Sequence, residues 1–339
     1  TENILKLRQV LSTLPAFCKD YFRAIDSTTT TKTRISYAYD IRIFFQFLLD
    51  ENPAFKNYAM TDFSVAVLDQ IKAVDLEEYM EYLKVYQNGD KTETNGERGL
   101  KRKISALRSF YAYYYKREMI HTNPTVLIDV PKIHDKSIIR LDTDEVALLL
   151  DYIEHCGDSL TGQKRVYYEK TKERDLAIVT LLLGTGIRVS ECVGLDIEDV
   201  DFKNNGIKVT RKGGNEMVVY FGEEVEKALK RYLEIREGIT PLAGHEHALF
   251  YSAQRKRMGV QAVENMVKKY SRQITTTKKI TPHKLRSTYG TALYQETGDI
   301  YLVADVLGHK DVNTTKKHYA ALDDARRRQA ATAVRLRED

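Results

Sequence analysis

Apolar residues recur at helical spacing through most of this chain, and this periodicity restricts it to a mainly helical fold. In the segment TKTRISYAYDIRIFFQFLLDEN, one face of a helix would carry Tyr37, Ile41, Phe44, Phe45 and Leu48. Strand-forming patterns are confined to residues 200–221, where IKVT and EMVVYF are joined by the Gly-rich turn RKGGN. The sequence therefore predicts a mostly α protein that contains one small antiparallel β-sheet.

Two prolines mark a boundary between domains. Pro124 and Pro131, in NPTVLIDVPKIHDKS, lack an amide hydrogen and disfavour helix in the residues before them. We expect a helical N-terminal domain over 1–122, an extended linker over 123–140, and a larger, mainly α C-terminal domain over 141–339 that holds the sheet. A chain of 339 residues is long enough for two domains, each with its own core.

Several helix boundaries are also predicted. Thr28 to Thr31 can cap the helix that carries the first apolar stripe. Capping-box spacing predicts helix starts at Asp75, with Glu78, and at Asp142, with Glu145. The polar stretch QNGDKTETNGERG, residues 87–99, is interpreted as a loop.

Composition and absent motifs exclude several classes of protein. No apolar run approaches the roughly 20 residues that span a bilayer. Cys18, Cys156 and Cys192 form no CxxC pair, which fits reduced thiols, so we expect a cytoplasmic protein. The chain contains no GxxxxGK[ST], HExxH or GxSxG motif, so we expect neither a bound metal nor a nucleotide cofactor.

The positive charge is clustered. The net charge is only +5, but residues 101–117 hold six basic side chains and no acidic one, and Arg255, Lys256 and Arg257 are consecutive. For any one cluster, a solvated surface is the ordinary explanation. The hypothesis that the clusters bind DNA assigns phosphate contacts to Lys101, Arg102, Lys103, Arg108, Arg255, Lys256 and Arg257.

Six polar residues stand in short, specific contexts: GTGIRVSE, RKGGN, TPHKLRST and LGHKDVNTTKKHYAAL. They are Arg188, Lys212, His283, Arg286, His309 and Tyr319. Each has an ordinary alternative: Arg188 can form a surface pair with Glu191, a hairpin lysine can simply be solvated, and this chain has 22 tyrosines.

Taken together and in this order, these segments resemble the tyrosine recombinase (phage integrase) family, which includes the Xer proteins, Cre, and the integrases of phages and conjugative transposons. The resemblance covers nearly the whole chain. It includes ERDLAIVTLLLGTGIRVSECVGLDIEDVD, TPHKLRSTYGTAL and LGHKDVNTT, and, in the first domain, SYAYDIRIFFQFL and ISALRSFYAYYYKREMIHTNP. It implies that the first domain is a SAM-like core-binding DNA-binding domain and the second a catalytic domain.

The resemblance also implies a role for each of the polar residues. Arg188 and Arg286 would clamp the scissile phosphate, and His309 would hydrogen-bond it and pack the site. Guanidinium groups suit this task because their planar geometry matches two phosphate oxygens.

The remaining three residues would take part in nucleophilic attack and proton transfer. Tyr319 would be the nucleophile, His283 would shuttle its proton, and Lys212 would protonate the leaving 5′ oxygen. A tyrosine with a pKa near 10 is only about a thousandth ionised at neutral pH, so neighbouring bases and cations must help. Because a phosphotyrosyl bond conserves the energy of the broken ester, no ATP is required for rejoining.

Two positions depart from the common pattern. Tyr319 lies ten residues after His309, where many relatives have nine, so the intervening segment must absorb one extra residue. Ser287 stands where relatives often have histidine.

The resemblance further implies a homotetramer on two double-stranded DNA sites and a Holliday-junction intermediate, in which both domains encircle the DNA. The tail AALDDARRRQAATAVRLRED could dock on a neighbouring subunit or form a solvated terminal helix. Two alternatives stay open: a type IB topoisomerase-like enzyme, and a non-catalytic DNA-binding protein on the same scaffold.

Overall fold

The chain forms two compact units that divide between residues 136 and 137. The computed structural model describes residues 2–134, 138–211, 213–309, 312 and 315. Most described residues are helical and the strands are short, which confirms the predicted mainly α fold. None of the helices in these ranges combines the length and apolarity needed to cross a membrane.

The first unit is built from helices around an aromatic core. The core includes Phe44, Phe45, Phe110 and Tyr114, all fully buried. Its helices and strands are α1 (Glu2–Leu11), α2 (Cys18–Ala24), α3 (Thr31–Glu51), α4 (Ala73–Tyr82), β1 (Val85–Asn88), β2 (Lys91–Thr94) and α5 (Glu97–Tyr115).

Helix α3 forms as the apolar stripe predicts. Thr30 caps it, because the Thr30 hydroxyl oxygen accepts a hydrogen bond from the Thr33 amide at 3.2 Å. Ile41, Phe44 and Leu48 lie on its buried face against the rest of the core.

The residues interpreted as a loop, 87–99, contain most of a β-hairpin. Strands β1 and β2 pair antiparallel, with Asn88 opposite Lys91, and Gly89 between them has φ +61°. The prediction that strands are confined to residues 200–221 is therefore wrong. The hairpin is mostly exposed, so it lacks the apolar alternation of a half-buried strand, although Asn88-Gly89 is a common hairpin turn.

Only one of the two helix starts predicted from capping-box spacing is confirmed. At Asp142, the predicted helix start is confirmed: Asp142 precedes α6 (Thr143–His155), and its amide donates to Glu145 Oε2 at 2.8 Å. At Asp75 the predicted boundary is wrong, because α4 starts two residues earlier and the Asp75 carboxylate accepts from the Lys72 amide at 2.7 Å.

The first part of the predicted linker is packed rather than extended. Pro124–Val126 forms a 3₁₀ turn, and Ile128 is buried in the core of the first unit. Arg108 fixes this turn by donating to the carbonyls of Thr125 at 3.0 Å and Ile128 at 2.8 Å.

The second unit surrounds a long central helix, α7 (Gly162–Thr185), and most of its C-terminal half is buried. A three-stranded antiparallel sheet lies where the sequence predicts it, in the order β3-β4-β5, with Ile207 opposite Val200 and Val219. The elements are α6 (Thr143–His155), α7 (Gly162–Thr185), α8 (Val189–Gly194), β3 (Val200–Asp201), β4 (Gly206–Thr210), β5 (Glu216–Tyr220), α9 (Glu223–Glu237), α10 (Val260–Ile274), α11 (Pro282–Thr297) and α12 (Ile300–Leu307).

Candidate active site

Helix ends and tight turns of the second unit bring Arg188, Arg286 and His309 together. Helix α7 is capped at its C-terminus by Gly186, which has φ +62° and would place an added Cβ 2.3 Å from the Tyr289 ring. The chain therefore reverses here in a way that favours glycine, and two residues later Arg188 is the N-cap of α8.

Arg188 is held by a buried carboxylate. Its backbone amide donates to Glu191 Oε2 at 2.8 Å, and its Nη1 donates to Glu191 Oε1 at 2.7 Å. The Glu191 side chain is only 3% exposed, so the alternative of an ordinary surface pair does not describe it. Both carboxylate oxygens are used, and the arginine is fixed at its backbone and at its head group.

Arg286, on the first turns of α11, is buried with 4% of its surface exposed. Its Nη1 donates to the Gly186 carbonyl at 2.5 Å, and its Nη2 donates to the Leu307 carbonyl. This guanidinium therefore joins the turn before Arg188 to the C-terminal end of α12.

Three arginines converge on that end of α12. Arg211 Nη2 donates to the carbonyl of residue 306 at 2.8 Å, Arg286 to that of residue 307, and Arg188 Nη2 to that of residue 308 at 3.3 Å. The last carbonyls of a helix have no partner within it and carry partial negative charge, so they attract cations. The site thus gathers three guanidinium groups around one electronegative helix end.

His309 follows this helix end directly. Its amide donates to the Ala304 carbonyl at 2.9 Å, and Gly308, with φ +60°, donates to the Asp305 carbonyl at 2.8 Å, as in a Schellman cap. The His309 ring shares a hydrogen bond between Nδ1 and the buried Thr315 hydroxyl at 2.7 Å. Both its backbone and its ring are therefore held in place.

His283 lies one helical turn before Arg286 and is exposed at the start of α11. Pro282 occupies the first helical position, where its missing amide hydrogen costs nothing. Ser287, the departure noted in the sequence, donates its hydroxyl back to the His283 carbonyl at 3.1 Å.

Lys212 and Tyr319 lie outside the described residues. The turn that carries Lys212 is described on both sides: Arg211 donates its amide to the Asn215 carbonyl at 2.7 Å, and Gly213 and Gly214 have positive φ. The tight turn predicted in RKGGN is thus confirmed, and within the described chain the structure brings Arg188, Arg286 and His309 together, with His283 one turn away from Arg286.

Sequence reasoning missed two residues of the site. Glu191 was considered only as a surface partner, and Arg211 was not singled out at all. The signal for Glu191 was its spacing three residues after Arg188, which suits a capping box. Nothing in the sequence distinguishes Arg211 from a solvated hairpin residue.

The basic residues of α5 are placed differently from one another. Lys101 is exposed, but Lys103 is only 5% exposed and its Nζ lies 3.0 Å from Asp40 Oδ1. Arg102, half-exposed, pairs with the same carboxylate. Burial raises the pKa of Asp40, and the two cations oppose that rise. The expectation that Lys103 points to an outside anion is therefore corrected: its charge neutralises a buried aspartate.

The three residues of the second basic cluster, 255–257, also differ in exposure. Arg255 and Lys256 are exposed, whereas Arg257 donates to the Leu195 carbonyl at 2.8 Å and pairs with Asp196. Like Arg108, it holds the fold together. Of the seven residues predicted to contact DNA, four therefore remain at the surface: Lys101, the half-exposed Arg102, Arg255 and Lys256.

The family model described as the phage integrase family matches residues 140–326, more than half of the chain. The chain belongs to the phage integrase family. The match spans the described site residues Arg188, Arg286 and His309, and it also includes Lys212 and Tyr319.

Curated members of the phage integrase family resemble this chain over most of its length. Tyrosine recombinase XerC of Caldanaerobacter subterraneus subsp. tengcongensis is 32% identical over 94% of the chain and 86% of the relative. Tyrosine recombinase XerS of Lactococcus lactis subsp. cremoris is 30% identical over 93% of both proteins. This chain is accordingly a tyrosine-type site-specific recombinase.

Solved structures of integrases share the fold. The Tn1549 transposon integrase in complex with transposon right end DNA has a TM-score of 0.67 at 21% identity, covering 94% of this chain and 99% of that one. The XerH site-specific recombinase bound to difH substrate has a TM-score of 0.61 at 21% identity, covering 87% and 78%. These likenesses support the assignment of the fold.

Proposed function

We propose that this recombinase cuts and rejoins two double-stranded DNA sites through a 3′-phosphotyrosine at Tyr319 and a Holliday junction. The observation that carries the proposal is the convergence of Arg188 and Arg286 on the end of α12, next to His309. Three chain segments meet there, and the groups that they supply are those suited to a phosphodiester.

The arginines would stabilise the charge that develops on the phosphorus oxygens. Such donors are most effective when they are already in position before the reaction. Arg188 is held by Glu191 and Arg286 by two carbonyls, so neither needs to become ordered when DNA arrives. His309, fixed by Thr315, would add a further hydrogen bond to the phosphate.

The reaction that we propose is a reversible exchange of esters. The Tyr319 oxygen attacks phosphorus as its proton passes to His283, and the P–O5′ bond breaks as Lys212 gives a proton to the leaving oxygen. The 5′ hydroxyl of the second duplex then attacks the phosphotyrosine and releases Tyr319. The number of phosphate ester bonds does not change, so the exchange requires no nucleotide hydrolysis.

The DNA-bound relatives support the choice of partner. The XerH and Tn1549 structures contain recombination-site and transposon DNA, respectively. By analogy we propose that this chain acts in the cytoplasm as a homotetramer on two sites, with its tail after Tyr319 as a candidate contact between subunits. Integration, excision, inversion and dimer resolution all use this chemistry.

Strand exchange between two duplexes tests the proposed function. The substrate is the inverted-repeat duplex that the protein selects from a randomised DNA pool, supplied as two fragments of different length. We expect recombinant fragments and a covalent protein–DNA intermediate, both unaffected by EDTA. Relaxation of supercoiled DNA without exchange would indicate a topoisomerase, and binding without any covalent product would indicate a non-catalytic protein.

The exposed cations provide a second prediction. Replacing Lys101, Arg255 and Lys256 together by alanine should weaken DNA binding and flatten its salt dependence, because each phosphate contact contributes about 0.9 to the slope of log K against log salt. The matched control is Lys227→Ala, an exposed lysine paired with Glu223 at 2.6 Å. A triple variant with the slope of the wild type would show that these side chains do not contact DNA.

A further inference from the structure

Arg211, which directly follows β4, is the third arginine at the end of α12. It is 91% buried, since only 9% of its surface is exposed. Its Nη2 donates to the Val306 carbonyl at 2.8 Å and lies 3.2 Å from Met217 Sδ. The guanidinium is therefore anchored at one of its three nitrogens.

The other two nitrogens of Arg211, Nε and Nη1, are buried. Neither donates a hydrogen bond to any residue that the structure describes. Buried donors are almost always satisfied in folded proteins, and the cost of leaving them unsatisfied is larger when they carry charge. A charged Nη1 group without an acceptor can donate to an oxyanion, and hydrogen bonds between charged groups are the stronger kind.

The unpaired Nη1 lies beside Gly308, a residue that also contacts Arg188. A Cβ added to Gly308 would be 1.8 Å from Arg211 Nη1, and the Gly308 carbonyl accepts from Arg188 Nη2 at 3.3 Å. Gly308 thus separates two guanidinium groups, and any side chain at that position would collide with Arg211.

The positive charges at Arg211 and Arg188 also favour binding of an anion. Burial, with Arg188 nearby, lowers the pKa of Arg211, and Glu191 and Asp305 oppose this effect. Glu191 already gives one carboxylate oxygen to the Arg188 amide and the other to its guanidinium. The two arginines are therefore close together, with one carboxylate committed to Arg188.

We propose that Arg211 is a third phosphate-binding arginine, whose Nη1 donates to a non-bridging oxygen of the scissile phosphate. The inference rests on the proposed function, because it assumes DNA cleavage at this site. It assigns Arg211 a contact with the reacting group, beyond anchoring the hairpin that carries Lys212 against α12.

A duplex with an uncharged group at the scissile position distinguishes a phosphate contact by Arg211 from a purely structural role. We would compare the rate of covalent complex formation at saturating protein for wild type and Arg211→Met, on the selected duplex with a normal scissile phosphate and with a methylphosphonate at that position. The methylphosphonate lacks the negative charge that the arginine would stabilise. We expect Arg211→Met to lose about 100-fold on the phosphate and less than about 10-fold, relative to wild type, on the methylphosphonate.

The control is Arg236→Met, which removes an arginine that also donates to backbone carbonyls, those of Ala248 and Leu249. It should have the same activity relative to wild type on both substrates. Arg211→Lys, which keeps the charge but lacks the guanidinium donors, should show the same substrate-dependent difference as Arg211→Met and replaces that variant if it does not fold. Equal losses on both substrates, or no loss, would overturn the inference; a wild type without any covalent product would instead contradict the proposed function.

Discussion

Replacing Arg286 by alanine should lower the rate of DNA cleavage by about 10³-fold. The Arg286 guanidinium is buried and held by the carbonyls of Gly186 and Leu307, so it presents a fixed positive charge where the phosphate would bind. DNA affinity should change by no more than about threefold, because one phosphate contact among many contributes little to binding. Single-turnover cleavage and equilibrium binding on the same duplex measure the two effects.

A matched variant separates catalysis from folding. Arg174 is also buried in the second unit, with 7% exposure, and pairs with Asp175 at 2.6 Å, but it is not among the residues of the site. Arg174→Lys should lower thermal stability and leave the cleavage rate of the folded protein unchanged. If Arg286→Ala lost affinity while it kept the normal cleavage rate of bound DNA, the assignment of Arg286 to the reacting phosphate would be wrong.

Tyr319→Phe should abolish covalent attachment to DNA, a loss of at least about 10⁴-fold, because the variant lacks the attacking oxygen. Binding should persist, since the cations that contact DNA are unchanged. A nicked substrate that traps the cleaved strand measures the product on a denaturing gel. The control is Tyr301→Phe, at an exposed tyrosine of α12. Undiminished attachment in Tyr319→Phe would assign the nucleophile to another residue.

Much of the fold can be predicted from the sequence where local signals and burial agree. The apolar face of α3 and its cap at Thr30 follow directly from residue spacing. The hairpin formed by β1 and β2 was missed because its residues are mostly exposed and polar, and an exposed strand has no hydrophobic period. Backbone pairing joins its two strands, and Tyr86 is its one residue buried in the core of the first unit.

In the candidate site, too, some residues can be identified from local sequence and others cannot. Arg188 and Arg286 could be identified because each lies in a short, specific segment, and the structure places both at the end of α12. Local patterns could not show that Lys103 neutralises the buried Asp40, a partner 63 residues away. Arg211 posed the same difficulty, because only tertiary packing distinguishes a buried hairpin arginine from a solvated one.

The covalent bond between protein and DNA tests the central claim most directly. Wild-type protein trapped on the nicked duplex would be digested with protease and nuclease, and the modified peptide sequenced by mass spectrometry. The account predicts a single nucleotide adduct, joined through its 3′ phosphate to the oxygen of Tyr319. An adduct on any other residue, or one joined through a 5′ phosphate, would contradict it.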